Sequence, residues 1–281
     1  MTNHGNQLAR YRQQAQQGTN LVMRAVAAAI EAALAGGDVI RGFYGGTFEV
    51  SFKGDVNLVT EADTQSERTI VSLLRKRVPG VAILAEESGE SGVTSDRRFI
   101  VDPLDGTTNF AHGYPVFAVS IGYEEGGEIQ AGVVYDPMRE ELFVAEKGVG
   151  AFLNGRRLQV SRTRELRNAL VVTGFPYDLL EDLTGNLRLF TRFMAEVRAI
   201  RRDGSAALDM CYVAAGRYDG FWEEKLGPWD TAAGLIIVAE AGGQVSDFSG
   251  EAFSCHGKQV LASNGVLHRE MLSVLKDPAL R

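Results

Sequence analysis

The sequence predicts an α+β fold with a β-rich first half and a second half in which strands and helices alternate. Apolar runs separated by turn residues crowd the region at about 81–157, which is typical of antiparallel strands. After about residue 165, strand-like and helix-like segments alternate along the chain, which favours helices layered on a sheet. We therefore predict one domain over 1–281, in which a half at 1–165 packs against a half at 166–281.

The first half opens with two predicted helices. An Ala-rich segment at 19–40 has few helix breakers, and Gly36-Gly37 indicates its weak point or its end. In the second helix Asp63 or Thr64 is a candidate cap, and Glu67 supplies the acid of a capping box three residues after Thr64. Apolar residues then recur at helical spacing, so an amphipathic helix is expected there.

Turn signals divide the rest of the chain. Two apolar runs at 116–137 are joined by Glu-Glu-Gly-Gly-Glu, which predicts a β-hairpin, and Asn154-Gly155 predicts another tight turn. The second half is predicted to contain strands at 169–174, 218–223 and 259–265, and helices at 185–197, 205–216 and 229–243.

The composition argues against several classes of protein. Lys and Arg number 29 against 36 Asp and Glu, a net charge of −7 with no Lys/Arg run, so we expect no nucleic-acid partner. The N-terminus is polar, and charges interrupt the short apolar run at 21–34, so we expect neither a signal peptide nor a membrane span. Two cysteines without a CxxC pair fit a reducing compartment, and we expect a soluble cytoplasmic protein.

Carboxylates gather where apolar strands end or helices begin. They are Asp63, Glu86, Glu87, Asp102, Asp105 and Asp230. Converging carboxylates repel one another unless they are protonated or bind cations. Hard divalent cations take oxygen ligands, and Mg²⁺ is the usual choice when phosphate oxygens join them. Each acid alone has a structural explanation as a helix cap or a turn, and a protein without a metal site is the alternative.

Two longer motifs carry a family resemblance. "VDPLDGTTNF" at 101–110 and "PWDTAAGLIIVAEAGG" at 228–243 are similar to the two signatures of the inositol monophosphatase family. "NLVTEAD", "AEES" and "DGSAALDMCYVAAGRYDGFWE" occur in the expected order, and the resemblance runs over about 21–275. It implies a layered αβαβα sandwich and a homodimer, with metal bound by the first half and substrate by the second. The N-terminal extension has no assigned role.

The resemblance also implies roles for individual residues. The family binds two or three Mg²⁺, with Mn²⁺ as a substitute, and the matching ligands are Glu86, Asp102, Asp105, Asp230 and the carbonyl oxygen of Leu104. The matching catalytic residues are Asp63, Thr107, Glu86 and Asp105. Among them Thr107, paired with Asp63, would orient the attacking water. The matching substrate contacts are Gly106, Thr107, Gly204, Ser205, Ala206, Glu223 and Asp230.

The implied activity is Mg²⁺-dependent hydrolysis of a small polyol phosphate by metal-activated water, most simply of myo-inositol 1-phosphate, with lithium sensitivity. Fructose 1,6-bisphosphate, 3′-phosphoadenosine phosphate and histidinol phosphate are alternative substrates for the same site. A mainly regulatory binding protein is a less favoured alternative. A phosphatase that uses Asp102 as a nucleophile is disfavoured, because that class needs two aspartates separated by one residue and here two intervene.

Other reactive side chains are assigned structural roles. No metal-ligand spacing is visible among the four histidines, His4, His112, His256 and His268. Three arginines could favour phosphate, but we expect them on a solvated edge or at a subunit contact; they are Arg198, Arg201 and Arg202.

Overall fold

The structure, a computed structural model, describes residues 20–46, 50–53, 57–90, 93–176 and 183–276. Within these residues the layers follow the order helix, sheet, helix, sheet, helix, which confirms the αβαβα fold. The N-terminal extension lies outside the described residues. No helix in the described ranges is long and apolar enough to cross a membrane.

The first layer consists of two helices, α1 (Leu21–Phe43) and α2 (Glu61–Arg77). The sequence indicated a weak point or the end of α1 at its glycine pair. In the structure the helix continues through this pair to Phe43. A Cβ on Gly36 would lie 2.7 Å from the Ile70 side chain of α2, and one on Gly37 would lie 2.5 Å from the Tyr135 ring. The two glycines therefore allow α1 to pack closely on α2 and on the neighbouring sheet, and the helix continues past them.

The start of α2 differs from the prediction. Thr60 is the N-cap, and Asp63 is the acid of its capping box, since Asp63 Oδ2 accepts hydrogen bonds from the Thr60 N–H at 2.7 Å and the Thr60 hydroxyl at 2.6 Å. Glu67 instead accepts a 2.8 Å hydrogen bond from the backbone N–H of Glu87. The chain carries two successive Thr-x-x-acid patterns, and the first of them begins the helix.

The second layer is an eight-stranded sheet. A separate antiparallel pair precedes it, β1 (Val50–Lys53) and β2 (Asn57–Thr60). The sheet contains β3 (Ala82–Ala85), β4 (Gly89–Glu90), β5 (Arg97–Asp105), β6 (Ala118–Glu125), β7 (Glu128–Asp136), β8 (Glu141–Glu146), β9 (Gly150–Leu153) and β10 (Arg156–Arg157). Its order is β10-β9-β8-β7-β6-β5-β3-β4, and only the β3–β5 pair is parallel among these described strands. The predicted hairpin of β6 and β7 and the predicted turn between β9 and β10 are confirmed.

The other layers surround a five-stranded sheet of order β12-β11-β13-β15-β14. Its strands are β11 (Leu170–Thr173), β12 (Ala199–Arg201), β13 (Gly220–Glu224), β14 (Gln244–Ser246) and β15 (Gln259–Ser263). The remaining helices are α3 (Thr107–Ala111), α4 (Leu183–Glu196), α5 (Ala206–Ala214), α6 (Pro228–Glu240) and α7 (His268–Lys276). Helices α5 and α6 lie between the sheets, and a Cβ on Gly122 of β6 would lie 2.7 Å from Ala232 of α6. Helices α4 and α7 cover the outer face, where the Phe193 and Trp222 rings stack 3.9 Å apart.

The two sheets fall on either side of residue 165. Strands of the larger sheet lie at 82–157, and strands of the smaller sheet lie at 170–263. Helix α6, although it comes from the second half, packs on the larger sheet. The assignment of metal binding to one half and substrate binding to the other stays a prediction.

Candidate active site

One cavity of about 450 Å³ contains most of the site residues predicted from the sequence. It opens where β5 ends, where α5 and α6 begin, and where β13 ends. The predicted residues that line it are Glu86, Asp102, Leu104, Asp105, Gly106, Thr107, Gly204, Ser205, Ala206, Glu223 and Asp230. A concave site with convergent polar groups is the usual form of a small-molecule site.

Three carboxylates meet in this cavity. Asp102, Asp105 and Asp230 each offer an oxygen atom, and these atoms all lie within 4.8 Å of one another. Strand β5 is irregular between Asp102 and Asp105, and the Leu104 N–H donates a 2.9 Å hydrogen bond to Asp102 Oδ1. Asp230, in the first turn of α6, accepts a 2.6 Å hydrogen bond from the Gly227 N–H. Local backbone contacts therefore fix two of the three acids before any ligand binds.

Burial and mutual repulsion disfavour the ionised form of these acids. Burial first, then the charges of Glu86 and Asp105, raise the pKa of Asp102 well above its usual range. Burial, followed by the Asp105 charge, raises the pKa of Asp230 to about 8, and burial raises that of Asp105 to about 6. An all-oxygen donor set that is unfavourable when fully ionised fits hard divalent cations, whose charge would remove the repulsion.

Glu86 and Leu104 complete the predicted ligand set around the three aspartates. Glu86 follows β3, which runs parallel beside β5, and its N–H donates a 3.1 Å hydrogen bond to the Val101 carbonyl. The Leu104 carbonyl oxygen lies 3.0 Å from the Thr107 hydroxyl oxygen. Ser66 of α2 donates a 3.0 Å hydrogen bond to the Pro103 carbonyl, which attaches the helix to the same turn.

Asp63 lies behind Thr107 and is buried. The Thr107 hydroxyl lies 2.9 Å from Asp63 Oδ1, while Asp63 Oδ2 is taken by Thr60. Burial raises the pKa of Asp63, and the hydrogen bonds from Thr60 and Thr107 oppose that shift. The hydroxyl of Thr107 therefore sits between a buried carboxyl and the cavity, where it can accept a hydrogen bond from a water molecule.

The Ser205 hydroxyl, a predicted substrate contact, is already hydrogen-bonded within the protein. It donates a 2.6 Å hydrogen bond to Asp105 Oδ2, which also accepts a 2.8 Å hydrogen bond from the Ala207 N–H. Ser205 is also the N-cap of α5, and its Oγ accepts a 3.4 Å hydrogen bond from the Leu208 N–H. The single hydroxyl proton of Ser205 is thus directed to Asp105, so this side chain positions an acid of the cluster.

Glu223 lines the same cavity. Burial raises its pKa to about 8; the charge of Arg202 opposes this shift, and the charge of Asp105 adds to it. A Cβ on Gly174 would lie only 2.1 Å from Glu223 Oε1, so the glycine leaves the space that this carboxyl fills. The position of the Glu223 carboxyl therefore depends on the absence of a side chain at Gly174.

The cavity is also lined by residues that were not predicted to be in the site, among them Gly174, Arg202 and Asp209. Arg202 is exposed, as expected for a solvated edge, and it also lines the cavity, where a Cβ on Gly204 would lie 2.8 Å from its Nη1. Asp209 was detectable, since it follows Ser205 by four residues and so shares its helix face. Gly174 and Arg202 carry no such local signal.

Comparisons with known proteins identify the family. A family model described as "Inositol monophosphatase family" matches residues 23–277. The chain is 46% identical over 249 residues to "Inositol-1-monophosphatase" of Synechocystis, a match that covers 88% of this chain and 87% of the relative. It is also 46% identical over 232 residues to "Nus factor SuhB" of Pseudomonas aeruginosa, which covers 81% of this chain and 86% of that relative.

A solved structure shows the same relationship. The inositol monophosphatase from Anabaena (Nostoc) sp. PCC 7120 has a TM-score of 0.82 to this chain at 42% identity, with 89% of this chain and 94% of that chain covered. Sequence, fold and the acid-lined cavity therefore agree. The chain belongs to the inositol monophosphatase family and is a phosphatase, an enzyme of the hydrolase class.

Proposed function

We propose that this phosphatase hydrolyses a small polyol phosphate, most simply myo-inositol 1-phosphate, in a Mg²⁺-dependent reaction. The observation that carries the proposal is one cavity that combines an aspartate cluster with a further buried carboxyl group. Asp102, Asp105 and Asp230 converge in this cavity, and Glu223 lines it as well. The aspartate cluster suits cations and phosphate, and Glu223 suits hydroxyl groups that hydrogen-bond to a carboxyl group.

The cations would be held by the acid cluster. We assign two or three Mg²⁺, replaceable by Mn²⁺, to Glu86, Asp102, Asp105, Asp230 and the Leu104 carbonyl. The oxygen-only donor set and the raised pKa values of the buried aspartates support this assignment. When bound, such cations neutralise phosphate charge and lower the pKa of water.

Thr107 and Asp63 would orient the attacking water. The Thr107 hydroxyl donates to Asp63 and accepts from the water, which turns an oxygen lone pair of the water toward phosphorus. Asp63 is in a position to take up the proton that passes through Thr107. The backbone N–H groups of Gly106 and Thr107 border the cavity and would donate to phosphate oxygens. Glu86 and Asp105 would contribute to catalysis through their position in this cavity.

The polyol would occupy the part of the cavity beside Glu223. Glu223 would accept hydrogen bonds from ring hydroxyls, and the backbone at Gly204 and Ala206 borders the same space. Ser205 would act on the substrate through Asp105, and Asp230 would lie near the leaving oxygen. The relative named "Inositol-1-monophosphatase" supports this choice of substrate among small polyol phosphates.

The proposal includes a cytoplasmic homodimer that lithium inhibits, as the family resemblance implies. The relative named "Nus factor SuhB" supports a second, regulatory role as the alternative. A catalytically dead Asp102→Asn chain that still restores the phenotype of a deletion strain would favour that alternative. Loss of the phenotype with the activity would favour the phosphatase as the cellular function.

Phosphate release from four substrates tests the proposal directly. The panel compares myo-inositol 1-phosphate, fructose 1,6-bisphosphate, 3′-phosphoadenosine phosphate and histidinol phosphate, each with and without Mg²⁺. We expect the highest kcat/KM for myo-inositol 1-phosphate, and we expect Asp102→Asn to abolish the Mg²⁺-dependent turnover of every substrate. A higher kcat/KM for another member of the panel would replace the proposed substrate, and turnover in EDTA would contradict the metal requirement.

A further inference from the structure

We propose that Glu124, Cys255 and His256 form a second metal site, which binds a zinc ion outside the catalytic cavity. The proposal concerns a different part of the molecule and does not depend on the proposed function. The sequence alone placed His256 among histidines without ligand spacing, because its two partners are one adjacent residue and one residue far away in the chain.

The ligand atoms of the three residues already converge. One carboxylate oxygen, one thiol sulfur and one imidazole nitrogen all lie within 4.8 Å of one another. His256 Nε2 lies 3.5 Å from Glu124 Oε1. The ligand atoms of a tetrahedral zinc site with bonds of about 2.0–2.3 Å lie ~3.3–3.7 Å apart. A charge-assisted hydrogen bond between the same groups would be shorter, at about 2.7–2.9 Å.

Two separate elements bring the ligands together. Glu124 lies near the end of β6, directly after an irregularity in its pairing with β7. Cys255 and His256 occupy the centre of a tight turn, closed by a 2.7 Å hydrogen bond from the Gly257 N–H to the Ser254 carbonyl. A metal ion would therefore connect this turn to the end of β6, an interior strand of the larger sheet.

Arg98 orients the Glu124 carboxylate and leaves one of its two oxygen atoms for the metal. Arg98 Nε lies 3.0 Å from Glu124 Oε2, while Oε1 is the atom that faces His256. A charged group that holds the other oxygen of a ligating carboxylate is the kind of outer contact that metal sites commonly have. Glu124 and Cys255 are buried, whereas the His256 side chain is 47% exposed and leaves a path for an ion to enter.

The donor set selects the metal. Thiolate and imidazole suit zinc and disfavour Mg²⁺, which takes oxygen ligands. Three protein ligands leave a fourth position for water. Zinc would replace the Cys255 thiol proton, which passes to solvent. Without metal the thiol has no evident reactive role, since burial raises the pKa of Cys255 to about 12 and keeps it protonated.

The proposed zinc site lies apart from the catalytic acids, but its residues contact the strand β5 and the helix α6, which carry three of those acids. Glu124 pairs with Arg98, which precedes Asp102 by four residues on β5, or ~13 Å along the strand. Cys255 packs on Ala232 and Trp229 of α6, the helix that carries Asp230. We therefore expect zinc to stabilise the fold at this helix without replacing the catalytic cations.

Cobalt spectroscopy in excess Mg²⁺ tests the site, because Co²⁺ bound by a thiolate shows a near-ultraviolet charge-transfer band. The chain has two cysteines, and the predicted catalytic ligands include neither, so a band must report one of the two. We expect wild type to show the band with one equivalent of Co²⁺ and Zn²⁺ to abolish it. Cys255→Ser should lose the band, and Cys211→Ala, which removes the other buried thiol, should keep it.

Zinc affinity, measured against a chromophoric chelator in the same buffer, gives a second readout. His256→Ala should weaken Zn²⁺ binding at least tenfold, and His112→Ala, at an exposed histidine elsewhere, should not change it. Thermal melting should show Zn²⁺ stabilising wild type and His112→Ala but not Cys255→Ser. Absence of the band in wild type, or its retention in Cys255→Ser, would overturn the proposal.

Discussion

Ser205 donates a 2.6 Å hydrogen bond to Asp105, a residue 100 positions earlier in the chain. The contact joins the start of α5 to the end of β5 and so connects the region around the smaller sheet to an acid of the larger one. The Ser205 hydroxyl and the Ala207 N–H both donate to Asp105 Oδ2, which leaves Oδ1 for a ligand. The orientation of Asp105 therefore depends on the packing of the two halves.

Ser205→Ala should weaken Mg²⁺ binding 10–100-fold, because Asp105 loses the donor that orients it and lowers its pKa. Loss of the N-cap oxygen adds about 1 kcal/mol of destabilisation, which urea unfolding measures separately. Ser205→Thr keeps the hydroxyl and should stay within a few-fold of wild type. Calorimetric Mg²⁺ titration checks both variants, and equal affinities for Ala and wild type would contradict the role of this hydrogen bond.

Thr107→Val should lower kcat about 10²–10⁴-fold while leaving Mg²⁺ affinity nearly unchanged, because valine keeps the shape but cannot hold the water or pass its proton to Asp63. Thr107→Ser is the matched control, since it restores the hydroxyl without the methyl group. Single-turnover kinetics with saturating Mg²⁺ provides the measurement. A Ser variant as slow as Val would mean that the methyl contact, not the hydroxyl, is what matters.

The irregular end of β5 was predictable because its chemistry is local. The Asp102-Pro103-Leu104-Asp105 order places two carboxylates and a carbonyl within one short bend, and the structure brings both aspartates to the cavity. The capping of α2 was predictable only in part. Two candidate caps followed one another in the chain; the first starts the helix, and Glu67, the acid of the second, makes a tertiary contact with Glu87.

The remaining features depend on long-range packing and have no local signal. Gly174 lines the cavity only because Glu223 on a neighbouring strand needs its space. Arg202 belongs to an exposed basic cluster, and the sequence does not indicate that the turn before α5 also places it on the wall of the cavity. The approach of Cys255 and His256 to Glu124 likewise requires the turn before β15 to reach the end of β6.

Metal-free protein should lose stability as the pH rises from about 4.5 to about 8, in part through Glu223. Its pKa is raised from 4.5 to about 8, so over that window the folded state keeps a proton that the unfolded chain has released. Glu223→Gln should match wild type near pH 4.5 and exceed its stability by roughly 3–5 kcal/mol near pH 8. Urea unfolding of both proteins in EDTA makes the comparison. If stability changes with pH in the same way in both proteins, the raised pKa of Glu223 is contradicted.

Gly174→Ala should raise KM for a polyol phosphate more than tenfold, because the new methyl group would lie 2.1 Å from Glu223 Oε1 and force that carboxyl out of its position. Turnover of a phenyl phosphate, which has no ring hydroxyls, should change little, because the substitution leaves the three aspartates in place. Gly42→Ala is the control, since an added Cβ there meets nothing within 4 Å. A KM increase shared by both substrates would indicate a general distortion of the cavity, and an unchanged KM for the polyol would mean that Glu223 does not bind it.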